Sequence, residues 1–370
     1  MRSKKYLKSP WIETIIMVSI LVASYTAIAA TAFGAEIPEE GMSRLNIFAL
    51  LAGLTMISFV MAFFAAVSGV GGGVLFTPVM LAFTPVDSLI IRATGVIFAM
   101  FTGLTSTGPL MKRGLANLRM SIAMSAVYGT TAFAGAFGAI YIWKYMGEGG
   151  EAAVRISLGL IVFGVAIYMF FGGKKLEWPG EKNVDRFTAG LNFSQSYFEN
   201  SLNKVVEYKI RRAGAGFIII GFVGFIAGFF GMGGAWAVVL AQNVIMGAPL
   251  KVSAANSLAI IGMGNCIALW PYLLGGGVSP LFVAPWLVGV VMGGRAGSIL
   301  LINIRAGLIR LFLIGILFFT GFSLVARGLD ILGIVRMQGR INAVVFIIIT
   351  LLVFRAALSD KKTGRDLDEA

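Results

Sequence analysis

The chain has 370 residues, of which 58% are hydrophobic and only 13% charged, with a mean hydropathy of +0.89 and a formal charge of +13. Soluble domains carry about a quarter charged residues, so this composition excludes a soluble globular protein and indicates an integral membrane protein. With one cysteine, Cys266, and no histidine, an intrachain disulfide is excluded and a Cys/His metal site has no ligands, so neither metal nor cofactor is expected.

Runs of about 20 apolar residues recur along the chain, the length of a helix crossing the hydrocarbon core, and predict an all-α polytopic protein rather than a membrane barrel. The predicted spans are Trp11–Phe33, Leu45–Val67, Leu89–Met111, Met120–Trp143 and Ala153–Phe171, then Ala213–Phe230, Val252–Leu274, Leu281–Ile304, Ala306–Ala326 and Ile341–Leu358. They divide the chain into five parts: 1–44, a first span with an external acidic loop; 45–171, a first transmembrane repeat; 172–212, a polar cytoplasmic linker; 213–326, a second repeat; and 327–370, an additional span with a polar tail. The first run also reads as a signal peptide, since "RSKKYLK" precedes it and "ATA" at Ala30–Ala32 resembles a cleavage site, although its length and Glu13 argue against cleavage. The linker is expected to be extramembrane, with a helix near Ser194–Arg212.

Lys and Arg lie mostly between the apolar runs, which fits retention of cytoplasmic loops better than nucleic-acid binding. Arg2, Lys4, Lys5 and Lys8 place the N-terminus inside and the loop with Glu36, Glu39 and Glu40 outside. Lys112, Arg113 and Arg119, and the linker's Lys174, Lys175, Arg211 and Arg212, are then inside as well. For Leu89–Met111 to end inside, the preceding segment Leu45–Asp87 must enter and return. Yet the stretch after the glycines of "VSGVGGGVLF", Val74–Phe83, covers only about 15 Å as a helix, half a bilayer core. The glycine run therefore reads as the break of a re-entrant helical hairpin, since glycine is the poorest ordinary helix former after proline.

A second break, "GFFGMGGAW", appears at Gly228–Trp236, and a shift of 162 residues aligns the two without a gap. The same shift pairs Ala93-Thr94-Gly95 with Ala255-Asn256-Ser257, Pro109 with Pro271, and Ala134-Gly135 with Ala296-Gly297. Identities are few, but they fall on the small residues and prolines that decide backbone shape. The positive loop at Lys112–Arg119 matches the uncharged Leu274–Leu281, whereas the loop with Lys144, Glu148 and Glu151 matches a region bearing Arg305 and Arg310. Positive loops thus exchange places, as in inverted repeats with broken helices, the usual build of secondary transporters.

The sequences "AAVSGVGGGVLFTPVML" and "GFIAGFFGMGGAWAVVL", each followed by a polar "RATG" or "AANSLAI" segment, resemble the duplicated motif of the TauE/SafE sulfite exporter family, also described as the toluene sulfonate uptake permease group. The resemblance covers about Leu45–Ala326 and implies a multi-pass transporter of the cell inner (plasma) membrane for sulfite, sulfonates or related organosulfur anions. Ser68, Gly69, Gly71, Gly72, Gly73 and Pro78 fit the first motif. The second departs from it at Ala227-Gly228, Ala235 and Leu240, which bears on the exact substrate.

Physically, a helix restarting in the membrane presents partnerless amides and a positive dipole end, both favourable to an anion. The candidate substrate-binding residues are therefore Ser68, Gly69, Gly71, Gly72, Gly73 and Thr94 in the first half, and Gly231, Gly233, Gly234, Asn256 and Ser257 in the second. The four polar side chains among them offer donors to oxyanion oxygens, or equally bonds between helices. Arg295, deep in a span, is costly there and suited either to forked contacts with sulfite or sulfonate or to a snorkelling or structural role. Gly135, Gly138, Gly293, Gly294 and Gly297 are expected to serve helix packing. Gln242 and Asn243 are placed in the second half-helix, facing the same cavity or its rim. Arg92 is expected at the interface or paired with Asp87, and Cys266 as a packed small residue. Apart from Glu13 no carboxylate lies in any span, so a proton relay of buried carboxylates has no members, and coupling is left to the substrate's own protonation (H⁺), to Na⁺ held by unwound carbonyls, or to no ion. No P-loop or catalytic constellation is present, and the expectation is a transporter rather than an enzyme. The expected partners are a small anion and the lipid bilayer, with a passive anion channel, or a carrier of another small oxyanion or carboxylate, as the alternatives.

Overall fold

The computed structural model describes residues 44–84, 86–145, 147–172, 184–199, 203–303 and 306–334. The predicted spans Trp11–Phe33 and Ile341–Leu358, and the acidic loop of the first part, lie outside them. The chain is an all-α polytopic membrane protein, and seven of its described helices are long and apolar enough to cross a membrane.

The first series of helices is α1 (Arg44–Ser68), α2 (Gly73–Phe83), α3 (Ser88–Lys112), α4 (Leu118–Tyr145) and α5 (Gly147–Gly172). The second follows the linker: α6 (Arg186–Leu191), strands β1 (Gln195–Glu199) and β2 (Lys204–Tyr208), then α7 (Ala213–Phe230), α8 (Ala235–Leu240) continuing as a π-helical turn over Ala241–Ile245, α9 (Leu250–Leu274), α10 (Pro280–Asn303) and α11 (Ala306–Ile331). The expected helix near Ser194–Arg212 is instead the antiparallel hairpin β1–β2, with Gln195 opposite Tyr208 and Glu199 opposite Lys204. "QSYFE" and "KVVEY" are rich in aromatic and β-branched residues, and their alternation turns Tyr197, Glu199 and Tyr208 inward and leaves Phe198 and Val205 exposed.

The helices pack reciprocally under the 162-residue shift. α1 runs along α10 as α7 runs along α4, α3 crosses α9, and α5 pairs with α11. Glycines make these approaches possible: a Cβ at Gly135 would strike the carbonyl of Phe225, and one at Gly297 the carbonyl of Phe63, positions that the shift interchanges. Gly293 likewise lies against the backbone of Phe59, and Gly294 against Thr105, so Gly135, Gly293, Gly294 and Gly297 serve close helix packing, whereas a Cβ at Gly138 would meet Phe229 only at an ordinary 3.6 Å.

One end of the bundle is marked by the linker. Asn117, before α4, donates through Nδ2 to the carbonyl of Phe193 at 2.8 Å, and the Arg211 amide donates to the carbonyl of Met246 at 3.0 Å. At the same end Lys251 of α9 pairs with Glu199. At the other end Gly277, past α9, lies against Leu89 in the first turn of α3.

Candidate functional site

Both glycine runs break their helices within the protein. At the first, Gly69 (φ 72°) and Gly71 (φ 79°) adopt the left-handed conformation between α1 and α2; at the second, Gly231 (φ 63°) and Gly233 (φ 70°) do so between α7 and α8. Side-chain-bearing residues adopt such angles only with strain, which is why glycine stands there. The two breaks meet. A Cβ on Gly73 would lie 2.5 Å from the carbonyl oxygen of Gly95 and 2.6 Å from that of Met232. Each break also leans on the helix after the other: Gly231 on the backbone of Arg92 in α3, and Gly69 on Ala254 in α9.

Hydroxyls clasp the breaks from the opposite half. Ser257 donates to the carbonyl of Gly69 at 2.6 Å, and Thr77 of α2 to that of Gly231 at 2.9 Å. Tyr128 of α4 accepts from the Gly234 amide at 2.9 Å, and its hydroxyl lies 3.3 Å from Oδ1 of Asn265. Thr102 of α3 faces Gly72, and Thr320 of α11 donates to the carbonyl of Val74 at 3.3 Å. The amides of Gly72 and Gly73 in the first break, and of Met232, Gly233, Ala235 and Trp236 in the second, have no acceptor among the described residues although all six residues are buried. Buried amides are nearly always paired, so these six are open positions for an acceptor such as an oxyanion.

Of the residues expected at a binding site, the glycines 69, 71, 72, 73, 231, 233 and 234 and Ser257 gather at this junction. Ser68 closes α1 with its hydroxyl turned back to the carbonyls of Phe64 and Ala65. Thr94 is bonded within α3 to the carbonyl of Ile90. Asn256 faces the start of α4, where its Oδ1 accepts from the Asn117 amide at 2.7 Å. Arg295 is buried in α10, beside the glycine that packs on Thr102 and Thr105. Gln242 and Asn243 hold the turn after α8: Asn243 donates to the carbonyl of Ala248, and Gln242 lies on the Met124 sulfur. Arg92, expected near the interface, is instead 5% exposed against the second break, because Gly231 lets the two backbones touch. Cys266, expected to be packed, lies on the outer face of α9. Thr77, Thr102, Tyr128 and Asn265 escaped the sequence reading, as single polar residues in apolar runs carry no pattern of their own.

Beside the second break lies an apolar pocket of about 280 Å³ that opens on the outer face of the bundle, its lining running from Met232, Gly233 and Trp236 to the exposed Ile161 and Phe222. At the linker end, burial and then the charge of Glu199 push the Tyr197 hydroxyl pKa up, and burial pushes that of Tyr208 up to about 12 against the lowering effect of Asn117. These tyrosines are therefore neutral packing groups at the mouth of the bundle.

The chain belongs to the sulfite exporter TauE/SafE family, whose model matches residues 54–324, and it is a multi-pass membrane transporter. It is 22% identical over 270 residues to the probable membrane transporter protein YunE of Bacillus subtilis (strain 168), an alignment covering 70% of this chain and 92% of that protein. No solved structure matches it.

Proposed function

We propose that the chain is a secondary transporter that moves a sulfur oxyanion, namely sulfite, a sulfonate or a related organosulfur anion, by alternating access across the cell inner (plasma) membrane. The observation that carries this reading is the meeting of two glycine breaks whose buried amides, at Gly72 and Gly73 and from Met232 to Trp236 apart from Gly234, have no acceptor among the described residues. Such amides complement oxygen atoms bearing negative charge, and in hydrocarbon each unmet donor would otherwise cost several kcal/mol.

The path of the chain supports inverted repeats. α7 starts at the linker end, and the turn after its break returns there, since the amide of Arg211 meets the carbonyl of Met246. α1 runs parallel to α10, with Thr55 donating to the carbonyl of Pro285 and Gly293 and Gly297 lying against Phe59 and Phe63 in turn. α10 begins soon after Gly277, at the end opposite the linker, so α1 enters from that end too. Two breaks entered from opposite ends give each side of the membrane one half-helix pair, the arrangement that rocking between two states requires. The apolar pocket beside Gly233 suits the organic part of a sulfonate whose head group meets the amides.

The test is binding and flux of sulfite, sulfate, thiosulfate and simple sulfonates in proteoliposomes, with wild type and Arg295→Ala. We expect saturable movement of sulfite or a sulfonate, weakened about tenfold by the substitution if the guanidinium contacts the anion. A wild-type protein that binds and moves none of these anions refutes the assignment, and flux that never saturates makes it a channel.

A further inference from the structure

Lys251, in the first turn of α9, and Glu199, at the end of β1, form an ion pair of 2.7 Å in which the side chains are 2% and 1% exposed. The pair joins the extramembrane hairpin to the transmembrane bundle. Among the described residues Glu199 is the one buried carboxylate, whereas Arg92, Arg155, Lys251 and Arg295 are buried cations. Burying both ions of a pair costs about what their attraction returns, and apolar residues of similar volume stabilise as well, so fold stability does not account for the pair.

Its position gives another account. Lys251 lies one helical turn before Ala254, whose Cα would stand 2.6 Å from a Cβ on Gly69, and two turns before Ser257, which holds the Gly69 carbonyl. The ammonium thus stands on the helix that clasps the first break, at the end where the linker meets the bundle. A carboxylate presents to it what a sulfite or sulfonate presents: negative charge spread over oxygen acceptors. The linker's bonds to the bundle from Asn117 to the carbonyl of Phe193 and from the Arg211 amide to the carbonyl of Met246 join neutral groups.

We propose that Lys251 is an anion-binding residue at the linker-side mouth of the transport path, and that Glu199 occupies it in this state as an internal competitor of the transported anion. The inference rests on the transport reading above. The hairpin is then a tethered stopper, released when an oxyanion displaces the Glu199 carboxylate. A site that is competent only part of the time has its apparent affinity reduced by that fraction, so removing the competitor strengthens binding.

The experiment measures sulfite and simple sulfonate flux against concentration on the linker side for wild type, Glu199→Gln, Lys251→Met and the double variant. If the carboxylate holds the site about nine-tenths of the time, Glu199→Gln lowers the half-saturating concentration about tenfold. Lys251→Met raises it, and the double variant behaves as Lys251→Met alone. A purely structural latch gives the opposite pattern: both single variants lose thermal stability and flux, the double variant recovers them, and half-saturation stays put; that pattern overturns the proposal. Hydrogen exchange on the unmodified protein provides a readout independent of the variants' folding. Sulfite, compared with chloride, should speed exchange in 195–208, and unchanged or slowed exchange refutes the stopper. Wild-type protein without flux removes the transport reading and this inference together, whereas wild-type flux with an unmoved half-saturation in Glu199→Gln removes this inference alone.

Discussion

Replacing Gly73 by alanine sets two physical effects against each other, and the structure says which prevails. Gly73 begins α2 without a positive φ, so helix propensity alone favours alanine by about 0.5–1 kcal/mol. The new Cβ, however, would lie 2.5 Å from the Gly95 oxygen, 2.6 Å from the Met232 oxygen and 2.9 Å from the Met232 carbonyl carbon. These are backbone atoms of two other elements, and relief requires the breaks to separate by about half an ångström; overpacking of this kind costs about 1–3 kcal/mol. The net loss of stability is about 0–2 kcal/mol, small for the fold, but it falls on the junction of the open amides. Flux should drop on the order of tenfold, the effect of about 1.4 kcal/mol of misplacement at the site. Gly53→Ala in α1 is the control, because nothing lies within 4 Å of its Cβ and propensity acts alone. It should raise the thermal midpoint and leave flux intact. The assay is thermal unfolding in detergent alongside sulfite flux in proteoliposomes; Gly73→Ala with stability and flux raised or unchanged, as in Gly53→Ala, would refute the assignment of the site to the meeting of the breaks.

Three further perturbations separate the clasp from the scaffold. Tyr128→Phe removes the acceptor of the Gly234 amide and should cost about 1–3 kcal/mol, as for any buried donor left unmet, with flux lowered in parallel, read from thermal unfolding and transport of the same preparation. Asn256→Leu breaks the bond that fixes the start of α4 and should lower the unfolding temperature while leaving the half-saturating anion concentration unchanged; a selective rise in that concentration would return Asn256 to the binding site. Asp185 accepts from the hydroxyl of Thr188 and the amides of Arg212 and Thr188, and these bonds hold its carboxyl below the ordinary range. Because its folded pKa is depressed, its contribution to linker packing is present above the unfolded value of about 4 and is lost as pH falls through the folded one. Protection of the amides in 186–191, relative to their intrinsic exchange at each pH, should therefore fall as pH drops below about 4, and should not change over that range in Asp185→Asn.

The apolar runs made the fold class legible because bilayer thickness sets span length directly, and α1, α3, α4, α7, α9 and α10 each overlap a predicted run. The breaks were legible because adjacent glycines inside such runs have few uses. What the sequence could not supply was partner choice. Asn256 sits in the repeated motif beside Ser257, yet the helical turn sends Ser257 to Gly69 and Asn256 to Asn117. Arg92 carries a charge that suggests an interface, and only the missing Cβ of Gly231, far along the chain, makes room for its burial. The linker hairpin was misread because charge marked the segment as extramembrane and drew attention from its aromatic and β-branched alternation.

The two series of helices differ most where they hold one another. The Gly69 carbonyl takes a hydroxyl from Ser257, but the position matching Ser257 in the first half is Gly95, where a Cβ would collide with the Gly231 carbonyl. That carbonyl is served instead by Thr77, whose own match is Val239. The two breaks thus meet the same need, a donor for an exposed carbonyl at a left-handed glycine, each with a side chain from the other series of helices. Neither break supplies that donor itself, so each of these carbonyls depends on the other half in a solvent that offers no replacement donors. The exchange also ties motion at one break to motion at the other, since displacing α9 from Gly69 or α2 from Gly231 leaves a buried carbonyl unmet.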